Sequence, residues 1–218
     1  MGTIKLPAVV MLGLMLALAR SIPAADAGLK NGQWLKNQLQ GIELFGKTLG
    51  IMGMGNIGQA VAQRAAPFGM AVLGYDPFLP AEQISKHGAR PVGLDELFSE
   101  ADFISLHLPL TQATRGMIDQ EAISKMKMGV RLICTARGGV INEEALLAAL
   151  ETGQVSGAAL DVFSQEPPGL TPLVAHPNLI AVPHIGAQTI EAQSRAAADI
   201  ANEVLAALQG QPLRWQVA

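Results

Sequence analysis

Residues 49–58 read Leu49-Gly50-Ile51-Met52-Gly53-Met54-Gly55-Asn56-Ile57-Gly58, an apolar run that passes directly into glycines at G-x-G-x-x-G spacing. In this pattern Gly53 allows a tight turn, Gly55 lets the backbone approach a pyrophosphate, and Gly58 lets the following helix pack closely on the strand. A helix that opens at Asn56 and Ile57 directs its free N–H groups and the positive end of its dipole toward an anion. The stretch predicts a strand, a phosphate-binding loop and a helix, the arrangement typical of a dinucleotide site.

An acidic residue follows the next apolar run along the chain. Asp76 comes 18 residues after Gly58, at the end of the run Ala71–Tyr75. A carboxylate at this place can bond both ribose hydroxyls of a dinucleotide and would repel a 2′-phosphate. The alternative is a turn-forming role before Pro77. The sequence favours NAD over NADP as the cofactor.

Short apolar runs alternate with helical patterns from Thr48 onward, which is typical of a parallel sheet covered on both faces. The predicted fold is α/β: one Rossmann-type, doubly wound parallel sheet with a long helix at each end. We divide the single domain, residues 1–218, into an interface helix and connection (1–40), a Rossmann core (41–187), and a return helix and tail (188–218). The predicted strands are Leu49–Met54, Ala71–Tyr75, Phe103–Leu108, Arg131–Thr135, Gly157–Val162 and Leu179–Val182. The predicted helices from the loop onward are Asn56–Phe68, Leu94–Ser99, Gln120–Met126, Glu143–Glu151 and Ile190–Leu208.

The composition narrows the functional classes. Of 218 residues, 50% are apolar and 23 are glycine, while 15% are charged, against roughly 25% charged in an average soluble domain. Such a chain buries enough surface to offset its entropy, which excludes a disordered protein. A net charge of −3 without a block of Lys or Arg argues against nucleic-acid binding. Cys134 is the only cysteine, which excludes an intrachain disulfide or a cysteine-based zinc site and fits a reducing compartment. No metal site is predicted.

The apolar stretch Leu6–Ala19, between Lys5 and Arg20, permits two interpretations. A secretory signal fits the basic start, the apolar centre and the small residues of Ala25-Asp26-Ala27. A helix of this length rises only about 21 Å, short of the roughly 30 Å bilayer core, so a membrane span is not predicted. A helix that is apolar all round must be buried somewhere, in its own fold or in a subunit interface. We favour the buried helix and a cytoplasmic protein.

Ligands of open α/β sheets lie beyond the carboxyl ends of the strands, and polar residues follow four of the predicted strands. These are His107, Arg137, Asp161 with Glu166 five residues later, and His184. An Arg can bind a carboxylate through two parallel hydrogen bonds, and a His with a Glu partner can act as a base near neutral pH. The set predicts a site that moves a proton and a hydride. The residues alone do not decide between His107 and His184, although His107 also fits a packing role at a strand end.

Five longer segments of the sequence resemble the D-2-hydroxyacid dehydrogenase family, specifically its NAD-binding domain. The similarity runs through nearly the whole chain, from Leu12 to Gly210. The segments are GIELFGKTLGIMGMGNIG (41–58), ADFISLHLPLTQATRGMI (101–118), GVRLICTARGGVINEEALLAAL (129–150), GAALDVFSQEPP (157–168) and HPNLIAVPHIGAQTIEAQSRAA (176–197).

The resemblance implies a role for each polar residue and an NAD-linked oxidation of a D-2-hydroxy acid, or its reversal. His184 corresponds to the general acid/base, Glu166 to the acid that orients it, and Arg137 to the group that binds the substrate carboxylate and C2 oxygen. Asp161 corresponds to the acceptor for the nicotinamide carboxamide. Together with the glycine loop, the implied cofactor positions are Gly53, Met54, Gly55, Asn56, Ile57, Gly58, Asp76, Leu108, Pro109, Thr114, Thr135, Ala136, Arg137, Asp161, His184 and Gly186.

The resemblance also implies partners. Family members carry a separate substrate domain, which we expect to be largely absent here, and they form a homodimer through the first long helix. We therefore predict a homodimer, a small 2-hydroxy acid substrate, a missing substrate domain, and neither nucleic acid nor membrane as partners. Cys134 stands where an Asn is common, which we expect to be tolerated.

An alternative function is an NAD-responsive dimerising module similar to the C-terminal-binding-protein corepressors, which share the fold and the three catalytic positions. A third possibility is a relative of formate dehydrogenases, a branch in which the resemblance implies a Gln–His pair. The Glu at position 166 argues against that branch.

Overall fold

The computed structural model of the chain describes residues 6–214, which form one parallel sheet with helices on both faces. The strands are β1 (Thr48–Met52), β2 (Ala71–Tyr75), β3 (Arg90–Pro91), β4 (Phe103–Leu106), β5 (Val130–Cys134), β6 (Val155–Leu160) and β7 (Leu179–Ala181). The helices are α1 (Leu6–Arg20), α2 (Ile22–Lys30), α3 (Asn56–Ala65), α4 (Ala81–Lys86), α5 (Leu94–Glu100), α6 (Gln120–Ser124), α7 (Glu143–Thr152) and α8 (Ile190–Leu208).

The strand order across the sheet is β3-β2-β1-β4-β5-β6-β7, and every neighbouring pair is parallel. The chain first builds outward from β1 to β3 and then returns to the other side of β1 to add β4 to β7. The reversal lies between β1 and β4, and in open α/β sheets the crevice at such a switch point is where ligands bind. The predicted α/β doubly wound fold is confirmed.

Three short elements were not predicted. β3 has two residues, one of them a proline that has no N–H to donate, and α4 has only six residues. α2 follows α1 directly, because Ser21 adopts a left-handed conformation (φ 50°) that ends the first helix and turns the chain. Periodicity cannot identify a two-residue strand such as β3 or a six-residue helix such as α4, which spans fewer than two turns.

The long apolar helix α1 is part of the core of its own chain. It packs on α3 and on the face of the sheet formed by β5 and β6. The fully or nearly buried side chains of α1 are Ala8, Met11, Leu12, Leu14, Met15 and Ala19. Intramolecular burial therefore accounts for most of the apolar stretch. Within residues 6–214 no single helix is long and apolar enough to cross a bilayer, and α1 from Pro7 passes that test only jointly with α2, to which it is bent by 66°.

The other long helix, α8, has the opposite surroundings. Thr189 caps its first turn by accepting a hydrogen bond from Ala192 N at 3.1 Å, and Ala192 is its one buried residue. Its large apolar side chains are exposed in the described part of the chain; they are Ile190, Ile200, Val204, Leu205 and Leu208.

Candidate active site

The glycine loop between β1 and α3 is shaped by close backbone contacts. Gly53 has φ +92°, and a Cβ there would lie 2.6 Å from the carbonyl oxygen of His107 at the end of β4. A Cβ on Gly58 would lie 2.0 Å from the carbonyl oxygen of Gly53. A Cβ on Gly55, in contrast, would meet no atom of the described residues within 4 Å. The first and third glycines therefore pack against the protein, whereas Gly55 faces open space at the start of α3, where Asn56 is exposed.

The carboxylate of Asp76, just after β2, holds the neighbouring loops. Its Oδ2 accepts a hydrogen bond from Met54 N and its Oδ1 one from Phe78 N, each at 2.9 Å. The side chain of Met54 is buried and its carbonyl accepts a bond from Gln59 Nε2 at 2.8 Å, so Met54 fixes the shape of the loop. Each carboxylate oxygen has two acceptor sites, so Asp76 keeps capacity for two ribose hydroxyls. The turn-forming and ribose-binding interpretations are compatible.

A cleft of about 460 Å³ opens at the carboxyl ends of β4 to β7, next to the start of α3. Two polar side-chain atoms in its walls, His107 Nδ1 and Thr135 Oγ1, are buried without a hydrogen-bond partner among residues 6–214. Buried polar atoms in proteins nearly always have partners, so these two atoms are suited to the polar groups of a bound ligand. The lining residues are Pro7, Ile57, His107, Leu108, Pro109, Thr135, Ala136, Arg137, Asp161, His184, Gly186 and Ala187.

The pair Glu166 and His184 borders this cleft. Glu166 Oε2 lies 2.8 Å from His184 Nδ1, and Glu166 Oε1 accepts a bond from Phe163 N at 3.0 Å. The hydrogen bond with His184 lowers the pKa of the Glu166 carboxyl below its ordinary value, and the charge of Arg137 acts in the same direction. With Nδ1 engaged by the carboxylate, the ring nitrogen left for a substrate is His184 Nε2.

Asp161 holds the backbone that follows His184. It is 1% exposed, and its two carboxylate oxygens accept bonds from Ile185 N at 2.6 Å and Gly186 N at 2.9 Å. Burial raises the pKa of the Asp161 carboxyl, and the two N–H donors oppose that rise. His184 itself has φ +52°, a conformation that costs a non-glycine residue about 1 kcal/mol or more and needs such support.

The structure distinguishes the two candidate histidines. His107 Nε2 lies 2.8 Å from the hydroxyl of Ser105, and no carboxylate in the described part of the chain is bonded to its ring. Burial lowers the pKa of His107 to about 4, so its ring is neutral near pH 7. His184 is the one with a carboxylate partner, which favours His184 as the acid/base and His107 as a neutral wall of the cleft.

Apart from Glu166, which borders the cleft at His184, the predicted site residues divide into three groups. The cleft brings together Ile57, Leu108, Pro109, Thr135, Ala136, Arg137, Asp161, His184 and Gly186. The glycine loop and Asp76 lie beside it, around the ends of β1 and β2. Thr114 acts on the cleft wall indirectly, because its hydroxyl donates to the carbonyl oxygen of Pro109 at 2.6 Å. Among residues 6–214 no three His, Cys, Asp or Glu side chains lie close enough to hold a metal ion.

Two residues near the site were missed by sequence reasoning. A Cβ on Gly138 would lie 1.7 Å from the carbonyl oxygen of Phe163, and Glu143 Oε1 accepts a hydrogen bond from Ser164 N at 2.6 Å. The sequence held one signal for the first, the Gly138-Gly139 pair after Arg137. Glu143 gave none, because an acid in the first turn of a helix is common for electrostatic reasons alone.

Comparison with known proteins agrees with this geometry. A sequence profile described as "D-isomer specific 2-hydroxyacid dehydrogenase, NAD binding domain" matches residues 12–186. The chain is 50% identical over 197 residues to the D-3-phosphoglycerate dehydrogenase of Bacillus subtilis (strain 168), a match that covers 90% of this chain and 38% of that protein. The chain therefore spans well under half the length of this relative.

Solved structures give the same result. A glyoxylate reductase from Paecilomyes thermophila superposes with a TM-score of 0.88 at 37% identity, covering 96% of this chain and 64% of that one. A D-lactate dehydrogenase from Aquifex aeolicus, solved with NAD and lactic acid, superposes with a TM-score of 0.87 at 34% identity, covering 95% of this chain and 67% of that one.

Proposed function

The chain belongs to the family of NAD-binding domains of D-isomer specific 2-hydroxyacid dehydrogenases, and we propose that it carries the cofactor site and the acid–base pair of such an oxidoreductase. The observation that supports this most directly is the 2.8 Å contact between Glu166 and His184 at the edge of a cleft with two unpartnered polar atoms. The dinucleotide fits the residues present, since Gly55 leaves room for a pyrophosphate and Asp76 for a ribose.

The proposed chemistry divides between the cofactor and the protein. NAD, when bound, supplies the acceptor for a hydride. His184 Nε2 takes the proton of the substrate hydroxyl, and the Glu166 carboxylate at Nδ1 stabilises the imidazolium that results. Arg137, exposed beside the cleft, binds the substrate carboxylate through two parallel hydrogen bonds. Asp161 keeps the backbone after His184 in place and is the proposed acceptor for the nicotinamide carboxamide.

The proposed substrate is D-3-phosphoglycerate, which would place the complete enzyme in serine biosynthesis. Its support is the 50% identity to a D-3-phosphoglycerate dehydrogenase. The 218-residue chain alone is expected to turn over weakly, because loss of positioning by the opposite wall of a cleft can remove several kcal/mol of barrier lowering. The test is an NADH-coupled screen of D-2-hydroxy and 2-oxo acids on the full-length gene product. NADH binding without turnover of any of these acids would instead support the dimerising binding module.

Cofactor binding is tested on the chain itself. Calorimetric titration with NADH should give saturable binding, because the glycine loop, Asp76 and the cleft all lie within residues 6–214. NADPH is the matched control and should bind at least about tenfold more weakly, a difference of roughly 1.4 kcal/mol, since Asp76 repels a 2′-phosphate. Absence of heat and of fluorescence change up to millimolar NADH would overturn the proposed cofactor.

The proposed homodimer has its support in apolar groups that the chain leaves exposed around its first helices. Val9 of α1 is 56% exposed, and Ile22, Leu29 and Trp34 in and after α2 are exposed by 52%, 61% and 79%. The proposed partner surface includes α2 and Trp34 as well as α1, because the other apolar side chains of α1 are mostly buried in the chain's own core. Light scattering should show a dimer, and Trp34→Lys should shift it toward monomer; a monomeric parent chain would contradict the proposal.

A cytoplasmic location is also proposed. Its support is that cleavage near Ala27, as for a secreted protein, would remove α1 and with it six buried side chains of the core. N-terminal sequencing of the expressed protein tests this, and a mature chain that starts near residue 27 would contradict it.

A further inference from the structure

The loop that carries Glu166 is fastened at two consecutive amides by two carboxylates. Ser164 N donates to Glu143 Oε1 at 2.6 Å, and Phe163 N donates to Glu166 Oε1 at 3.0 Å. The other oxygen of Glu166 lies 2.8 Å from His184 Nδ1. Glu143 is thus connected to His184 through a short length of backbone and one side chain.

The same loop lies directly against the turn that follows Arg137. A Cβ on Gly138 would be 1.7 Å from Phe163 O and 2.8 Å from Ser164 N, so the two backbones touch with no room for a side chain. This contact holds the loop beside the turn that leads to α7. The hydrogen bond from Ser164 N to Glu143 then attaches the loop to the first residue of that helix.

The position of Glu143 is set by the start of α7. Asn142 caps the helix by accepting a hydrogen bond from Ala145 N at 3.0 Å, which makes Glu143 the first residue of the helix. Glu143 is partly buried, whereas its neighbour Glu144 is exposed and lies on the side of α7 that faces α6. The two acids have the same charge and almost the same place in the helix, but of the two it is Glu143 that bonds the loop at Ser164.

We propose that Glu143 is a positioning residue that holds Glu166 in contact with His184. Glu143 does not line the cleft and acts through the backbone of Phe163 and Ser164. Its bearing on catalysis rests on the proposed function, but its effect on the Glu166–His184 contact does not. Without an acceptor at position 143, the loop loses one of its two fixed amides, and the Glu166 carboxylate is less well held on the imidazole.

Electrostatics and positioning predict opposite results when Glu143 is replaced. The charged groups that influence Glu166 are His184 and Arg137, which lower its pKa, and the Asp161 carboxylate beside the same turn. Removal of a nearby negative charge alone lowers the pKa of a carboxyl, whereas weakening its hydrogen bond to an imidazolium raises it. The direction of change in the Glu166 pKa therefore separates the two effects.

The experiment is a carbon-13 NMR titration of the Glu166 carboxyl in the 218-residue chain, with the signal assigned by its loss in Glu166→Gln. In Glu143→Ala the pKa of Glu166 should move upward, toward its ordinary value. In Glu143→Gln, which keeps an acceptor oxygen for Ser164 N, it should stay at the parent value or fall slightly. Glu144→Ala is the matched control and should not raise it.

An unchanged or lowered Glu166 pKa in Glu143→Ala, or an equal rise in Glu144→Ala, overturns the proposal. If Glu143→Ala does not fold, Glu143→Asp gives the same test, because it keeps the charge while withdrawing the acceptor by one methylene. NADH affinity, measured alongside, should be the same in the Glu143 and Glu144 variants as in the parent chain; failure of the parent chain to bind NADH counts against the proposed function and leaves the titration result standing.

Discussion

The two halves of the sheet's carboxyl edge are built by different means. At β1 and β2 the backbone makes the site, because Gly53 and Gly58 pack against neighbouring carbonyl groups and Gly55 leaves an open approach. At β4 to β7 side chains make it, through the Glu166–His184 contact and the two backbone hydrogen bonds that Asp161 accepts. The first half is therefore sensitive to an added atom, and the second to a lost hydrogen bond or proton acceptor.

The largest expected effect is in the side-chain half. His184→Asn in the full-length protein should reduce turnover by about 10²–10⁴, the usual contribution of a general acid/base. Asn also tolerates the left-handed backbone that His184 adopts, so the fold should be retained. Steady-state kinetics and NADH titration together check this, with His87→Asn, outside the cleft, as the control. Full turnover in His184→Asn would contradict the assignment of His184 and favour His107 as the base.

The backbone half is tested by adding one methyl group at each of two glycines. Gly58→Ala places a Cβ 2.0 Å from Gly53 O, so α3 must shift, at a cost of about 1–3 kcal/mol in the free energy of unfolding. Gly55→Ala meets nothing within 4 Å and should leave stability unchanged. NADH affinity should nevertheless fall about tenfold or more in Gly55→Ala, because the methyl group occupies the approach of the pyrophosphate.

Urea unfolding and NADH titration of both variants separate stability from binding. Equal NADH affinity in Gly55→Ala and the parent chain would show that the open face of the loop is not the phosphate site.

The effect that is smallest near pH 7 concerns acid stability, and it again separates the two histidines. Burial lowers the pKa of His107 to about 4, below its unfolded value near 6.5, so between these pH values the unfolded chain binds a proton that the folded chain does not. Stability is therefore lost as the pH falls through this window, by up to about 3 kcal/mol. His107→Gln should flatten the profile of unfolding free energy between pH 6.5 and 4.

His176→Gln, in the loop before β7, is the control and should keep the slope of the parent chain. An unchanged slope in His107→Gln would mean that another group carries the acid sensitivity. The paired Glu166 acts in the same direction at lower pH, since its lowered pKa means that its contribution is lost as the pH falls through the folded value.

Sequence patterns predicted the sheet because its strands are buried on both faces and are therefore continuously apolar. β2 and α8 have the predicted ends, and β1 and β4 to β7 lie within two residues of prediction at each end. β3 and α4 were not predicted, because both are very short and β3 contains a proline. The glycine loop was predictable because each of its glycines is required by one feature of the local backbone: a tight turn at Gly53, an open approach at Gly55 and close helix packing at Gly58.

The side-chain half was predictable only in its residue types. His107 and His184 both follow a strand, and nothing local shows that one ring is buried without a carboxylate while the other is bonded to Glu166. The hydrogen bond from Ser164 N to Glu143 joins residues 21 positions apart, and the two hydrogen bonds that Asp161 accepts from Ile185 N and Gly186 N join the end of β6 to the turn after β7. Such contacts depend on how loops pack after the sheet has formed.

The packing of α1 has a consequence for synthesis of the chain. Its apolar side chains are buried mostly by α3, β5 and β6. The last of these elements, β6, ends at Leu160, which is 140 residues after Arg20 at the end of α1. At a bacterial or eukaryotic elongation rate this interval lasts on the order of 10 s. During that time the apolar helix α1 is outside the ribosome while β6, which helps to bury it, has not yet been synthesised. We expect nascent chains of this protein to engage a holding chaperone at α1 until β6 emerges.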